Sequence, residues 1–563
     1  MIFLKSVAIG FFILCQFSWG APEVREGFLW ESVKSWGIQD RGRVKPLDTF
    51  ARESLLFVSG KNSWKKLSAP EVVFGWLVAF DKEWESEEFV RVDYKPLKEA
   101  LGLEIKSQYF RPIEIRSAEG LDKLVQEARQ KEARKERLSS LDKKAVELDN
   151  KRALLEAIVS GNSWAILPNP KGLQEEWFPL AALTDGGTLP FAQETKDKFA
   201  VALRNLVEAY LQRNSSDWNS ASLEVSRYLR QDLASGAYPK DSDLSLEIHY
   251  NDARPFRWSW VIYTVALITL ILGIVSHKKL LTTLGMGALG FGFVVHSYGF
   301  ILRSLIAGRP PVTNMYESVV WVTWGTVLFS LIIWLAYKNL VIPTASLVFA
   351  IAGLVLADNL PSVLDPGIHP LVPVLRSNFW LTIHVLCITL SYAAFAVSTC
   401  LGNLNLGLYI FNPFKTEAIQ QNILFMYRAM QIGVILLAAG TILGGVWADY
   451  SWGRFWGWDP KEVWALIALL FYIAVLHGRF TGWLKGFGFV ATTVLSFLGV
   501  VMAWYGVNFV LGVGLHSYGF GSGGLSYVLT YLVLQIAFVV ISYWKYLKAG
   551  KPGNQYVAPR TGI

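Results

Sequence analysis

Hydrophobic and polar positions follow two regimes along this chain. Up to about residue 255 they interleave at short range; from Phe256 onward long charge-free runs take over. Nine such runs, at about 256–275, 280–303, 318–337, 341–358, 379–400, 429–447, 463–479, 487–509 and 525–544, each approach the length a helix needs to cross the hydrocarbon. They predict a polytopic all-α membrane domain over 256–545 with a cytoplasmic tail at 546–563. Residues 22–255 predict a mixed, mainly helical extracytoplasmic domain. It has a turn-rich stretch from Gly42 to Pro46, an alternating stretch near Phe89 to Tyr94, and a second helical stretch from Lys196 to Leu229. Between them runs a helix-like segment from Ala118 to about Ile158, rich in Lys, Glu and Arg, with Leu121, Leu124, Leu138, Leu141 and Leu148 irregularly spaced. It reads as a solvated arm or hairpin packed by one apolar stripe, or as a docking arm for a partner protein.

The first 21 residues, with Lys5, the apolar run Val7 to Phe17 and small Ser18, Gly20 and Ala21, have the layout of a signal peptide; Trp19 leaves an uncleaved anchor as the alternative. Either way the domain that follows starts outside, and nine crossings put the C-terminus inside. That alternation puts Lys278, Lys279, Lys338, the 401–428 loop, the Arg479 to Lys485 loop and Lys545, Lys548 and Arg560 in the cytoplasm, a positive-inside pattern for a bacterial inner membrane. Arg303, Arg309, Arg376, Arg454 and Lys461 fall on the outer side against the trend, where anionic ligand groups or a negatively charged partner would explain them.

Composition sharpens this picture. A hydrophobic content of 52% with 23 Trp and 34 Phe exceeds what one soluble core explains. The net charge of +8 is scattered over loops and one polar helix, so an anionic bilayer accounts for it and no nucleic-acid partner is implied. Cys15, Cys387 and Cys400 show no Cys-x-x-Cys spacing and read as small apolar residues rather than a redox pair.

The richest chemistry lies in WADYSWGRFWGWDPKEVW, residues 447–464, where Trp447, Trp452, Trp456, Trp458 and Trp464 crowd the boundary between two membrane segments. An interfacial aromatic belt explains one or two of them. Five, interleaved with Gly453, Gly457, Asp459 and Pro460, predict a shelf for a flat apolar ligand, with Arg454 or Lys461 near any acidic edge; Asp459 either touches the ligand or caps the loop. Histidine is scarce, seven in all, and the alternating topology brings His384 and His516 to the face that carries this loop. Two imidazoles and an aromatic plate suit a six-coordinate haem.

WGRFWGWDP followed by KEVWAL, GRPPVTNMYES at 308–318 and WLTIHVLCITLSYAAF at 380–395 resemble the CcsA/ResC family of system II cytochrome c biogenesis, whose tryptophan-rich stretch is called the WWD motif; the resemblance covers about 280 to 545. It implies that His384 and His516 are the axial ligands of a haem b held non-covalently in transit, and that His477 serves a deeper haem site. It also implies a CcsB/ResB-type membrane partner, an apocytochrome c substrate bringing a reduced Cys-x-x-Cys-His, and a periplasmic thiol reductant that keeps it so. The chain would then be a component of a cytochrome c haem lyase, presenting haem for thioether attachment. GRVKPLDTFARES at 42–54 is similar to an extra domain preceding some bacterial members. His296 is either a helix-packing residue or a neighbour of the outer site. A haem exporter and a bis-histidine electron-transfer cytochrome are the competing readings.

Overall fold

The computed structural model describes residues 24–136, 138–184, 189–234, 237–361, 363–370, 378–511 and 524–552. The signal or anchor segment, Arg376, His516 and Arg560 lie outside the described residues. The chain divides into two compact units, Met1–Asp252 and Ala253–Ile563.

The first unit opens with an antiparallel hairpin, β1 (Gly37–Asp40) and β2 (Arg43–Pro46), in register Asp40 opposite Arg43. Its two turn residues, Arg41 and Gly42, both have positive φ (49° and 81°), the two-residue turn whose twist matches that of the strands. Helix α1 (Leu47–Ser59) follows directly, and α2 (Ala69–Val78) packs on it. The GRVKPLDTFARES segment thus forms β2 and most of α1. Its charges grip the helix α7 (Asp241–Ala253): Arg43 holds Glu247 with two bonds of 2.8 and 2.7 Å, Arg52 reaches Asp252 at 2.6 Å, and Asn251 donates to Asp48 and Thr49 at 3.0 and 2.9 Å. Buried Lys45 is neutralised by Asp40 and Glu53.

The charged run is a helical hairpin, α3 (Glu119–Ala133) and α4 (Ser140–Val159). Ser139 and Asp142 form a reciprocal cap that starts α4, and Lys131 of α3 closes on both oxygens of Asp142 at 2.9 Å. Leu121, Val125 and Ala128 of α3 and Ala145, Leu148, Leu155 and Ile158 of α4 are buried, so the hairpin is packed by one apolar stripe while its other face stays charged. Helices α5 (Gln193–Leu211) and α6 (Ser215–Arg227) complete the unit around an aromatic core of Phe28, Trp30, Phe74, Trp164, Tyr210 and Trp218.

In the second unit the described residues contain nine helices long and apolar enough to cross a membrane. They are α8 (Pro255–Ser276), α9 (Lys279–Ala307), α10 (Met315–Tyr337), α11 (Val341–Asn359), α12 (Asn378–Phe411), α13 (Thr416–Trp452), α14 (Pro460–Phe480), α15 (Gly486–Val501), which continues as a π-helical segment Met502–Leu511, and α16 (Leu525–Lys548). This is the polytopic helical membrane protein with an N-terminal helical domain that the pattern predicts.

The expected 401–428 loop is a correction: α12 runs on to Phe411 and α13 starts at Thr416, leaving four residues between them. The polar residues that suggest a loop are instead satisfied between helices. Asn422 donates to Asn405 at 2.8 Å, and Asn403 and Gln535 exchange amide bonds of 3.1 and 2.8 Å. Along the α12–α13 seam, Gly433, Gly440 and Gly444 share one face of α13 and admit Phe395, Ile388 and His384 of α12; a Cβ on Gly440 would stand 2.6 Å from Ile388.

Candidate functional site

Three connections gather at one end of the helix bundle, and local chemistry fixes each. Helix α9 ends at Gly308, whose φ of 65° suits glycine, before Arg309-Pro310-Pro311. Asn314 then caps α10 by accepting the Glu317 N–H at 2.8 Å. Glu317 accepts in turn from the Thr313 N–H and hydroxyl at 2.7 and 2.8 Å, and from Arg303 Nε at 2.9 Å. The Arg303 and Glu317 side chains are each about 1% exposed, and Arg303 also donates to the carbonyls of Pro366 and Gly367 at 2.9 and 3.2 Å. One buried ion pair therefore ties the 308–314 turn to the 363–370 segment.

The tryptophan-rich turn is set between Gly453, the left-handed stop of α13, and Asp459, which caps α14 by accepting the Lys461 N–H at 3.0 Å. Pro460 occupies the first helical position, and Glu462 reaches back to take the N–H groups of Gly457 and Asp459 at 2.8 and 3.1 Å. Trp458, between them, is held at φ +58°, costly for a bulky side chain, and is 72% exposed.

A cavity of about 160 Å³, open at its mouth, lies among these turns, α12, α13 and the π-helical segment. Small-molecule sites commonly hold roughly 300–1,000 Å³, so a large planar ligand would extend through the open mouth beyond the enclosed part. Its walls include Val385, Ile388, Trp447, Phe455, Trp456 and Trp504, and its polar groups include Arg309, His384, Lys461, Glu462 and Asn508. His384 Nδ1 lies 2.8 Å from the carbonyl oxygen of Gly440, an acceptor only, so in the neutral ring Nδ1 carries the proton and Nε2 the lone pair. Trp447 lies parallel to the ring at 6.3 Å and 11°, and the bare Gly444 lets it approach α13. Such a donor bond to a carbonyl orients ligating imidazoles elsewhere. Lys461 Nζ donates to Asn508 Oδ1 at 3.2 Å.

The family described as Cytochrome C assembly protein matches residues 312–516, which carry most of this cavity. CcsA, the cytochrome c biogenesis protein of Prochlorococcus marinus strain MIT 9215, is 38% identical over 253 residues, 39% of this chain and 79% of that protein. The chain belongs to the CcsA family of cytochrome c biogenesis proteins. The CcsA of strain NATL1A agrees, with 36% identity over 258 residues and 79% of its length covered. Protein NrfI of Wolinella succinogenes is 29% identical over 519 residues, 89% of this chain, a match long enough to run through both units. The chain spans about half of NrfI, 55% of its length.

Around this cavity the sequence-predicted residues separate. His384, Trp447, Trp456 and Lys461 line it. Trp452 sits edge-on to Trp447 at 4.7 Å, and Trp458 stands perpendicular to Trp456 at 6.0 Å. Trp464 packs into the helical core, and Asp459 is the helix cap. Arg454 lies over the Trp452 ring at 5.9 Å and against Gly457. His477 is in the last turn of α14, exposed on the bundle surface, with Nδ1 2.9 Å from the Ile473 carbonyl oxygen. His296 is wholly buried among Phe256, Tyr263 and Phe300, stacked on Phe300 at 5.4 Å. Among the described residues no group of three or more His, Cys, Asp or Glu side chains could hold a metal ion, whereas an iron held by porphyrin needs two axial side chains.

Sequence reasoning passed over Trp504, Asn508 and Glu462. An asparagine inside an apolar span is a signal for the first two, and the Asp459-x-x-Glu462 spacing is a capping-box signal for the third.

Proposed function

We propose that this chain receives haem b in the cavity beside the tryptophan-rich turn and presents it at the periplasmic face for attachment to apocytochrome c. The observation that supports the reading is His384, a family-motif histidine held through Nδ1 by the Gly440 carbonyl, lining an open aromatic cavity. Haem fits that donor set: an imidazole for the iron, Trp447 and Trp456 for the flat faces, and Lys461 for a propionate. His516, the second axial ligand that the resemblance implies, completes the assignment from sequence. Bound haem supplies two vinyl groups, across each of which one apocytochrome thiol adds with no net redox change. The chain's own part is to hold the cargo, exclude bulk water and orient its edge. It has no thiol pair of its own, so the apocytochrome brings both sulfurs and a periplasmic reductant keeps them reduced. His477, on the exposed face of α14, suits ligation shared with a CcsB/ResB-type partner.

In cells making a c-type cytochrome, His384→Ala and His516→Ala should abolish thioether formation while membrane insertion persists, and added imidazole should restore part of it. Normal maturation in both variants would refute the assignment. Reporter fusions after Asn251, within 448–462 and at the C-terminus should read outside, outside and inside.

A further inference from the structure

The 363–370 segment carries His369, a histidine that the haem assignment does not use. Its Nε2 lies 2.9 Å from Asp365 Oδ2, an acceptor only, so in the neutral ring Nε2 carries the proton and Nδ1 the lone pair. Among the described residues Nδ1 has no hydrogen-bond partner. An imidazole oriented by a carboxylate, with its other nitrogen open, is the arrangement that activates a nucleophile by taking its proton. We infer that His369, oriented by Asp365, is the proton-transfer residue for thiol addition at this cavity. The inference rests on the haem reading above and adds the group that activates the incoming thiol.

The segment is shaped to present this pair. A Cβ on Gly367 would stand 2.7 Å from His369 Nε2 and 3.0 Å from Asp365 Oδ1, so the glycine leaves open the space in which the two side chains meet. The backbone is secured without the imidazole: Arg303 holds the carbonyls of Pro366 and Gly367, Asn314 those of Asp365 and Gly367, and Arg309 that of His369. His369 is therefore not needed as a staple. Arg309 and Asn314 also line the cavity, which puts the pair within one side chain's reach of its wall. The His369 and Asp365 side chains are 33% and 60% exposed, so a substrate peptide can approach them.

A thiol with its ordinary pKa near 8.5 is only about 3% ionised at pH 7, and the thiolate is the nucleophile. Passing the S–H proton to Nδ1 frees a sulfur electron pair, which forms the C–S bond at the vinyl carbon next to the ring. The π pair of the vinyl group then takes the proton back from the imidazolium at the terminal carbon. One S–H and one C–C π bond are exchanged for one C–S and one C–H bond, with nothing oxidised or reduced. Nearby carboxylates are committed elsewhere: Glu317 pairs with Arg303, and Glu462 accepts from the N–H groups of Gly457 and Asp459. Among the described residues the charged groups bonded to His369 are Asp365 at its ring and Arg309 at its carbonyl.

The test supplies membranes carrying the full chain with reduced haem and a peptide containing a reduced Cys-x-x-Cys-His. Thioether product is measured by mass spectrometry against membranes lacking the chain, and haem retention by Soret absorbance. His369→Gln should retain haem as the wild type does and lose about a hundred-fold in initial rate at pH 7, the lower range for a general acid–base group. Raising the pH to about 9 ionises the thiol without help and should return about twenty-fold to the variant, while the wild type changes far less. Asp365→Asn should show a smaller loss with the same alkaline recovery. A wild-type rate in His369→Gln, an equal deficit at both pH values, or loss of haem from that variant would overturn the inference and leave the haem reading standing. Wild-type membranes that neither retain haem nor form thioether would overturn the haem reading itself.

Discussion

Gly444→Ala isolates the geometry of His384 from its chemistry. A methyl group there would sit 2.5 Å from His384 Cε1 and 2.7 Å from Nδ1, where ordinary contact begins near 3.4 Å. The ring must therefore retreat by about 0.9 Å. It cannot do so freely, because its Nδ1 is bonded to Gly440 of the same helix at 2.8 Å and Trp447 lies parallel to it. Overpacking costs about 1–3 kcal/mol, and replacing glycine by alanine inside a helix returns roughly 1 kcal/mol, so stability should fall by no more than about 2 kcal/mol. Ligation tolerates less: binding groups need placement within about 0.5 Å and metal–nitrogen distances within about 0.2 Å. The variant should melt close to wild type in detergent yet lose the low-spin Soret signature and at least about ten-fold in haem affinity. Gly407→Ala in α12, whose Cβ would meet nothing within 4 Å, is the matched control and should bind normally. Wild-type haem spectra and affinity in Gly444→Ala would refute the placement of His384 as a ligand.

Glu317→Gln strands the buried Arg303 charge; unfolding should become easier by about 3–5 kcal/mol, and an unshifted melting curve would count against the clasp. Asp142 has its carboxyl held below the usual carboxylate range, first by the hydrogen bond from Lys131 and then by Ser139, against the opposing effect of burial. Its contribution is thus fully present above the unfolded value near pH 4 and disappears as pH falls through the depressed folded value. Asp142→Asn should accordingly speed proteolysis at the 134–139 connection at pH 7, and the difference from wild type should vanish in acid; a pH-independent difference would contradict this. The isolated chain should lack a bis-histidine haem at His477, coexpression with a B-type partner should create one, and His296→Ala should leave it unaltered. A low-spin haem in the isolated chain, lost in both His296→Ala and His477→Ala, would overturn that view.

The membrane helices are legible because uninterrupted apolar runs admit few alternatives, yet their ends are not. Asn403, Asn405 and Asn422 look like loop residues along the chain, and only the helices facing them show that their amides are satisfied inside the bundle. The hairpin break after Ala133 is readable at Ser139 and Asp142, a capping pair. In the tryptophan-rich turn the sequence identifies the segment but not the task of each indole. Trp464 packs into the helical core, while Trp447, buried beside His384, and Trp456 border the cavity, a division set by which helix packs on which. Arg309 is foreshadowed by a charge against the positive-inside trend, but its position in the cavity wall depends on the fold that brings its turn to α14.

The π-helical stretch Met502–Leu511 supplies Ala503, Trp504 and Asn508 to the cavity, and Trp504 anchors to Ser318 of α10 at 2.9 Å. Removing one residue from an α-helix turns everything beyond it by roughly 100° and throws its buried face out of phase. A wide i→i+5 stretch has slack to absorb such a loss by tightening toward α-helical periodicity. A single-codon deletion at Met502 or Ala503 would therefore swing Trp504 and Asn508 off the cavity wall while much of the bundle kept its phase. Across natural variants, length changes in this stretch should accordingly surface as altered ligand preference rather than as failed assembly.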